Sequence, residues 1–193
     1  TSMIDAYKSL IEAINHGGLA NKTKVKIKWI DSEELENEKA DLTNIFKDIN
    51  GVIVPGGFGE RGSEGKINAI NFVRINKIPF LGICFGMQMA VLEFARNVLN
   101  LKEASSSEFG VTKLPLVGLL TEWHTKSGLE KRNKDSDLGG TMRLGAYDCK
   151  LLEKSLVKSI YKKEIISERH RHRYEVNNQL ISDFKKNGLI FSG

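Results

Sequence analysis

The amino-acid sequence predicts an α/β fold: an open, mostly parallel sheet flanked by helices, with an antiparallel extension. Short apolar runs at 51–55 and 79–83 are typical of buried strands, and helically spaced stretches follow at 64–75 and 87–98. Strands that alternate with helices form parallel sheets. Beyond residue 101 extended stretches follow one another with few helices between them, which predicts the antiparallel part.

The remaining elements follow from local patterns. Helical spacing at 6–14 with a Gly17-Gly18 stop predicts an opening helix, and alternation at 25–30 predicts a strand before a short acidic helix capped by Asp31 or Ser32. The later stretches are predicted as a loop at 105–109, a strand at 116–123, a polar surface hairpin tip at 124–137, extended chain at 138–147, a helix at 153–161, extended chain at 169–176 and a short helix at 179–187.

Composition narrows the class of protein. The 193 residues suffice for one domain with a sizeable core, and 40% hydrophobic with 27% charged residues is ordinary for a globular protein. The net charge of +5 does not indicate nucleic-acid binding, because basic and acidic residues alternate and no aromatic-studded basic stripe occurs. No apolar run approaches a membrane span and no signal peptide is evident, so we expect a cytoplasmic protein in which Cys84 and Cys149 are free thiols.

Segment 81–88, Leu-Gly-Ile-Cys-Phe-Gly-Met-Gln, changes from strand to helix with a cysteine at the turn. Gly82 and Gly86 allow the sharp turn and close packing that a nucleophile elbow requires. A helix N-terminus raises the reactivity of a thiol, so Cys84 is a candidate nucleophile. The alternative interpretation is a buried core cysteine.

Acyl transfer by cysteine needs donors for the developing oxyanion. One candidate is the backbone N–H of Phe85, and a second is Gly57 in the glycine-rich stretch 56–62. The alternative for 56–62 is a plain strand-to-helix turn. A phosphate loop is disfavoured, because the stretch has neither Walker nor G-x-G-x-x-G spacing.

The general base is not evident. Residues two apart on a strand share a face, so the histidines at 170 and 172 lie opposite the arginines at 169, 171 and 173. The arginine face suits a carboxylate ligand, whereas no acidic or cysteine cluster supports a metal site. None of the four histidines is an obvious base: His16, His124, His170 and His172.

Four segments together resemble one family: 55–62, 81–88, 138–145 (Leu-Gly-Gly-Thr-Met-Arg-Leu-Gly) and 168–177 (Glu-Arg-His-Arg-His-Arg-Tyr-Glu-Val-Asn). They are similar to the glutaminase domains of the CTP synthase family, within the class I glutamine amidotransferases. The elbow alone marks the wider class, whereas the last two segments are particular to CTP synthases. The resemblance extends from residue 5 to 193 and implies a flavodoxin-like fold.

The resemblance also implies roles for individual residues. Cys84 would attack the side-chain amide of glutamine and form a glutamyl thioester, with Gly57 contributing to the oxyanion hole. Glu108 would bind the α-amino group of the substrate, and Arg173 would be a further glutamine contact. The glutamine-binding turn would comprise Phe85, Gly86, Met87 and Gln88.

The resemblance further implies the cofactors and partners of the domain. The domain itself needs no cofactor or metal, and its substrate is L-glutamine. Ammonia would pass to an amidoligase domain of the same enzyme, where ATP and magnesium activate UTP for conversion to CTP, and GTP would act as activator. The enzyme would be a glutamine-hydrolysing ligase and a homotetramer, without nucleic-acid or membrane partners.

Two departures from the family pattern stand out. The family's catalytic histidine and its orienting acid lie in a Phe-His-Pro-Glu segment, which the sequence lacks, and the family has a strand before the first helix. We therefore expect residues 1–193 to be a glutaminase domain truncated at both ends that does not complete glutamine turnover by itself. The alternatives are a non-catalytic glutamine-binding or regulatory module of this fold, and another elbow-cysteine hydrolase or redox sensor.

Overall fold

The computed structural model describes residues 4–119, 122–125, 128–131, 143–177 and 180–193. The helices are α1 Lys8–Ala20, α2 Leu42–Ile45, α3 Ser63–Ile75, α4 Phe85–Asn97, α5 Leu156–Tyr161 and α6 Ile181–Lys186, with short 3₁₀ turns at Ile4–Tyr7, Glu34–Glu36 and Ser107–Phe109. The strands are β1 Val52–Val54, β2 Phe80–Gly82, β3 Ala104–Ser106, β4 Leu114–Leu119, β5 Glu122–Thr125, β6 Gly128–Lys131, β7 Arg143–Lys150, β8 Ile165–His172 and β9 Tyr174–Val176.

Strands β1 and β2 form a parallel pair with Val52 opposite Phe80, and α3 connects them. This is a β-α-β unit, and α4 follows β2 directly. Both strands therefore end at the same edge, β1 in the glycine-rich loop and β2 in the elbow. Ligands of parallel sheets bind at this edge.

The other strand pairs follow the sequence prediction in part. Strand β3 is parallel to β4, whereas β4–β9, β5–β6 and β7–β8 are antiparallel. The β3–β4 pair is parallel although it lies beyond residue 101, where the sequence predicts antiparallel pairing; the remaining pairs of that part are antiparallel, as predicted. The predicted fold class is confirmed.

Helix α4 lies at the centre of the core. Met89, Leu92 and Ala95 are fully buried and pack with apolar side chains from β1 and β4. Buried Glu93 accepts hydrogen bonds from both Nε and Nη2 of Arg74 on α3, the shortest at 2.9 Å. This ion pair fixes α3 against α4.

The predicted helix stop at Gly17-Gly18 is wrong, because α1 continues to Ala20. Gly18 is buried, and an added Cβ would lie 2.7 Å from the carbonyl oxygen of Thr23. The glycine serves close packing of the returning chain, whose Thr23 N–H donates to the Gly18 carbonyl.

The predicted strand at 25–30 is also wrong. The stretch alternates as a strand would, but its backbone pairs with no strand among the described residues. Val25, Ile27 and Trp29 are exposed. A second difference concerns β2, which the sequence predicts to be buried: Leu81 is 54% exposed, and β2 pairs only with β1 in the described part of the chain.

The stretch predicted as a loop at 105–109 contains the end of β3 and a 3₁₀ turn. The hairpin predicted within 124–137 is present as β5–β6, while 126–127 and 132–142 lie outside the described residues. No helix in the described ranges is long and apolar enough to cross a membrane.

Candidate active site

Cys84 occupies a strained position between β2 and α4. It is the N-cap residue of α4, with φ 53° and ψ −108°, a conformation that normally requires glycine. Gly86 makes this turn possible, because a Cβ there would lie 2.0 Å from the Val54 carbonyl oxygen. The strain and the tight packing together are the features of a nucleophile elbow.

The glycine-rich loop lies beside the elbow. A Cβ on Gly56 would be 3.6 Å from Cβ of Cys84, and one on Gly57 would be 3.8 Å from the Phe85 ring. The backbone N–H groups of Gly57 and Phe85 have no backbone partner among the residues that the structure describes. Two unpaired donors beside a cysteine are what an oxyanion hole requires.

The side chain of Phe85 packs the elbow against the core. Its ring is buried, meets Phe109 edge-on with centroids 6.1 Å apart, and lies 5.6 Å from the ammonium of Lys66. Lys66 also donates to the Ser32 hydroxyl, and burial lowers the pKa of its ammonium. This contact was not predictable from local sequence patterns, because Lys66 lies on another helix.

Glu108 lies on the 3₁₀ turn that contains Phe109. Its Oε1 accepts a hydrogen bond of 2.7 Å from the N–H of Gly59, 49 residues away. The Ser106 hydroxyl in turn accepts from the N–H of Glu108 at 3.2 Å. The predicted substrate ligand is therefore joined to the loop that carries Gly57.

Gln88 and Arg173 are brought together by α4 and β9. The buried Gln88 amide donates at 2.9 Å to the carbonyl of Tyr174, the residue after Arg173. Arg173 is half-buried in a bend between β8 and β9, and its Nε has no partner in the described part of the chain. The predicted common face of three arginines is wrong for Arg173, because β8 ends at His172, whereas Arg169 and Arg171 share the exposed face of β8 as predicted.

Comparison with known proteins decides the family. The sequence profile of the glutamine amidotransferase class-I family matches residues 2–193. The chain belongs to that family. Its relatives include the CTP synthases of Rhodospirillum rubrum and Rhizobium meliloti, each 58% identical over all of this chain, which covers 35% of either protein. The chain thus spans about a third of the length of these relatives.

A solved structure gives the same result in three dimensions. The glutaminase domain of Trypanosoma brucei CTP synthase, with bound acivicin, superposes with a TM-score of 0.82 and is 37% identical. The match covers 96% of this chain and 68% of that one. Within its family, this amidotransferase domain is therefore a glutaminase domain of the CTP synthase type.

The described histidines of the amidotransferase domain contact residues other than Cys84. His170 and His172 share the half-buried face of β8, with ring nitrogens 3.0 Å apart. Burial lowers the pKa of His172 despite Glu175 Oε1 at 3.8 Å. Among the histidines whose side chains are described, none hydrogen-bonds to Cys84.

The remaining predicted residues of the amidotransferase domain are described by their exposure and position. Met87 is 42% exposed on the first turn of α4, next to the elbow. Cys149 is half-buried on β7, and both cysteines are free thiols, as predicted. Within the described ranges no group of three or more His, Cys, Asp or Glu side chains has the arrangement of a metal site.

A cavity of about 360 Å³ opens between α1 and the elbow. Tyr7 and Leu10 line one wall, and Pro55, Gly56 and Ile83 line the other. It therefore adjoins both the glycine-rich loop and the residue before Cys84.

Proposed function

We propose that Cys84 of this domain hydrolyses the side-chain amide of glutamine and that the ammonia aminates UTP to CTP elsewhere in a longer protein. The supporting observation is the strained elbow: φ 53° at a helix N-cap, with unpaired N–H groups at Gly57 and Phe85 alongside. The bound acivicin of the Trypanosoma brucei domain supports a site for glutamine-like ligands.

The reaction proceeds in two halves. The thiolate attacks the amide carbon, forming a C–S bond, and the carbonyl oxygen becomes an oxyanion that accepts hydrogen bonds from the two backbone N–H groups. Collapse of the tetrahedral intermediate breaks the C–N bond; the nitrogen leaves as ammonia after protonation. Water then hydrolyses the glutamyl thioester, which releases glutamate and restores the thiol.

The substrate is bound through its α-amino and α-carboxylate groups. We assign the α-amino group to the Glu108 carboxylate and the α-carboxylate to Arg173, whose guanidinium is half-buried with an unpaired Nε. The elbow turn of Phe85, Gly86, Met87 and Gln88 forms the wall of the site. Charge-assisted hydrogen bonds of this kind are roughly twice as strong as neutral ones.

The remaining parts of the proposal concern the longer protein. The proton transfers require the family's His-Glu pair, and the amination of UTP requires an amidoligase domain with ATP and magnesium, GTP activation and tetrameric assembly. Relatives about three times as long as this chain support their presence elsewhere in the protein. Two free thiols support a reducing cytoplasmic location.

Substitution of the nucleophile tests the proposal in the full-length protein. Cys84→Ala should abolish CTP formation from glutamine but leave formation from free ammonia, because only the thioester step needs sulfur. Acivicin should label Cys84, and glutamine should compete with the labelling. Cys149→Ala is the matched control and should retain both activities; loss of the ammonia-dependent reaction in Cys84→Ala would assign Cys84 a structural role instead.

A further inference from the structure

The first part of the glycine-rich loop, residues 56–59, is held by a single side chain. Residues 56–59 make one hydrogen bond within the described part of the chain, from the N–H of Gly59 to Oε1 of Glu108 at 2.7 Å. Gly59 has φ 80°, a left-handed conformation that favours glycine. A bond of this length to a carboxylate is charge-assisted.

The support beneath Glu108 is rigid. Buried Ser106 caps the N–H of Glu108, and Phe109 packs against the Phe85 ring. Strand β3, which ends at Ser106, pairs with β4 in the core. Glu108 thus has a fixed backbone that is tied to the elbow on one side, while its side chain reaches the loop on the other.

We propose that Glu108 is a positioning residue for the oxyanion loop in addition to a ligand of the substrate ammonium. This inference rests on the proposed function. One carboxylate oxygen, Oε1, holds Gly59 and thereby Gly57 two residues away, while Oε2 accepts from the substrate. Because both bonds share one planar group, binding of the ammonium fixes the carboxylate and with it the loop.

The consequence is that recognition of the α-amino group acts on the rate of bond cleavage as well as on affinity. A glutamine analogue without the amino group, such as glutaramate, leaves Oε2 unpaired, so the carboxylate is held only by its bond to Gly59. Discrimination against that analogue should therefore appear in kcat and not only in KM.

Two variants of Glu108 separate the roles in the full-length protein. Glu108→Gln keeps an oxygen for the Gly59 N–H but loses the charge, whereas Glu108→Ala loses both. With glutaramate, ammonia release should be roughly tenfold faster in Glu108→Gln than in Glu108→Ala, the value of about one hydrogen bond. Equal rates would overturn the inference, whereas a wild-type protein that releases no ammonia from glutamine would refute the proposed function.

Hydrogen exchange at Gly59 gives a second readout that does not depend on turnover. Its amide should be protected in the wild type and in Glu108→Gln, and should exchange at least tenfold faster in Glu108→Ala. An unprotected Gly59 amide in the wild type would overturn the inference. Glu103→Gln is the matched control, because this exposed carboxylate pairs with Lys113 and should leave both readouts unchanged.

Discussion

Substitution of Gly86 by alanine tests the packing that places the nucleophile. The new Cβ would lie 2.0 Å from the Val54 carbonyl oxygen, about 1.4 Å short of the 3.4 Å at which ordinary contact begins. That carbonyl belongs to β1 and accepts from the N–H of Ile83 at 2.9 Å. The backbone cannot yield as a flexible side chain would, so α4 must move away from the sheet and carry Cys84 with it.

The expected cost combines two effects. Overpacking of this kind costs about 2 kcal/mol, and loss of the Ile83 hydrogen bond costs about 1 kcal/mol. With an m-value of about 2 kcal/mol/M for urea, the unfolding midpoint should fall by roughly 1.5 M. A shift of about 1 Å at the reacting atom should slow acivicin labelling of Cys84 by roughly a hundredfold.

Urea unfolding and the rate of acivicin labelling measure the two effects. Gly17→Ala is the matched control, because no atom lies within 4 Å of the new Cβ, and alanine is favoured inside a helix by about 1 kcal/mol. An unchanged midpoint in Gly86→Ala, with labelling at the wild-type rate, would refute the argument that close contact of α4 with β1 positions Cys84.

Two further predictions concern the edges of the site. Gln88→Ala and Gln88→Glu both remove the donor to the Tyr174 carbonyl. Each should raise KM for glutamine roughly five- to tenfold, because the neighbouring Arg173 is then held less firmly. An unchanged KM in both variants would contradict this. A separate prediction concerns pH. Burial lowers the pKa of His172 below its unfolded value of about 6.5, so the unfolded chain binds the proton first as pH falls. The free energy of unfolding should therefore decrease below about pH 6.5 until the native pKa is passed. Urea midpoints at pH 7.5 and 5.5 test this, with His172→Gln expected to reduce the difference, while a titration of His172 at or above its ordinary pKa would exclude the mechanism.

The elbow was predictable because its determinants are local. Gly82, Cys84 and Gly86 lie within five residues, and the apolar run before them and the helical spacing after them fix the element types. The same local reasoning located β1, α3 and α4 to within a few residues. Short-range patterns thus sufficed for the part of the fold that contains Cys84.

Long-range features were not predictable in this way. Whether 25–30 forms a strand depends on a pairing partner, which no local pattern supplies. The local pattern at Gly18 predicts the end of a helix, whereas the glycine is needed for close contact with Thr23. The bend at Arg173 ended the alternation that placed three arginines on one face.

The contact between Glu108 and Gly59 shows the same limit within the site. The two residues are 49 positions apart, and nothing near either one indicates the other. The only local signal was the serine two residues before Glu108, which is typical of a side-chain cap on a short turn. The family resemblance predicted a substrate ligand at Glu108 but not its bond to the loop.

The backbone at position 84 has a consequence for how such a domain can change over generations. A residue with a Cβ at φ 53° and ψ −108° carries a conformational cost of about 1–3 kcal/mol that glycine would not carry. A copy released from the need for a thiol would gain stability by replacing Cys84 with glycine, while a copy under selection for turnover must keep the cost. Under the proposed function, cysteine at this position therefore means that selection for chemistry outweighs selection for stability.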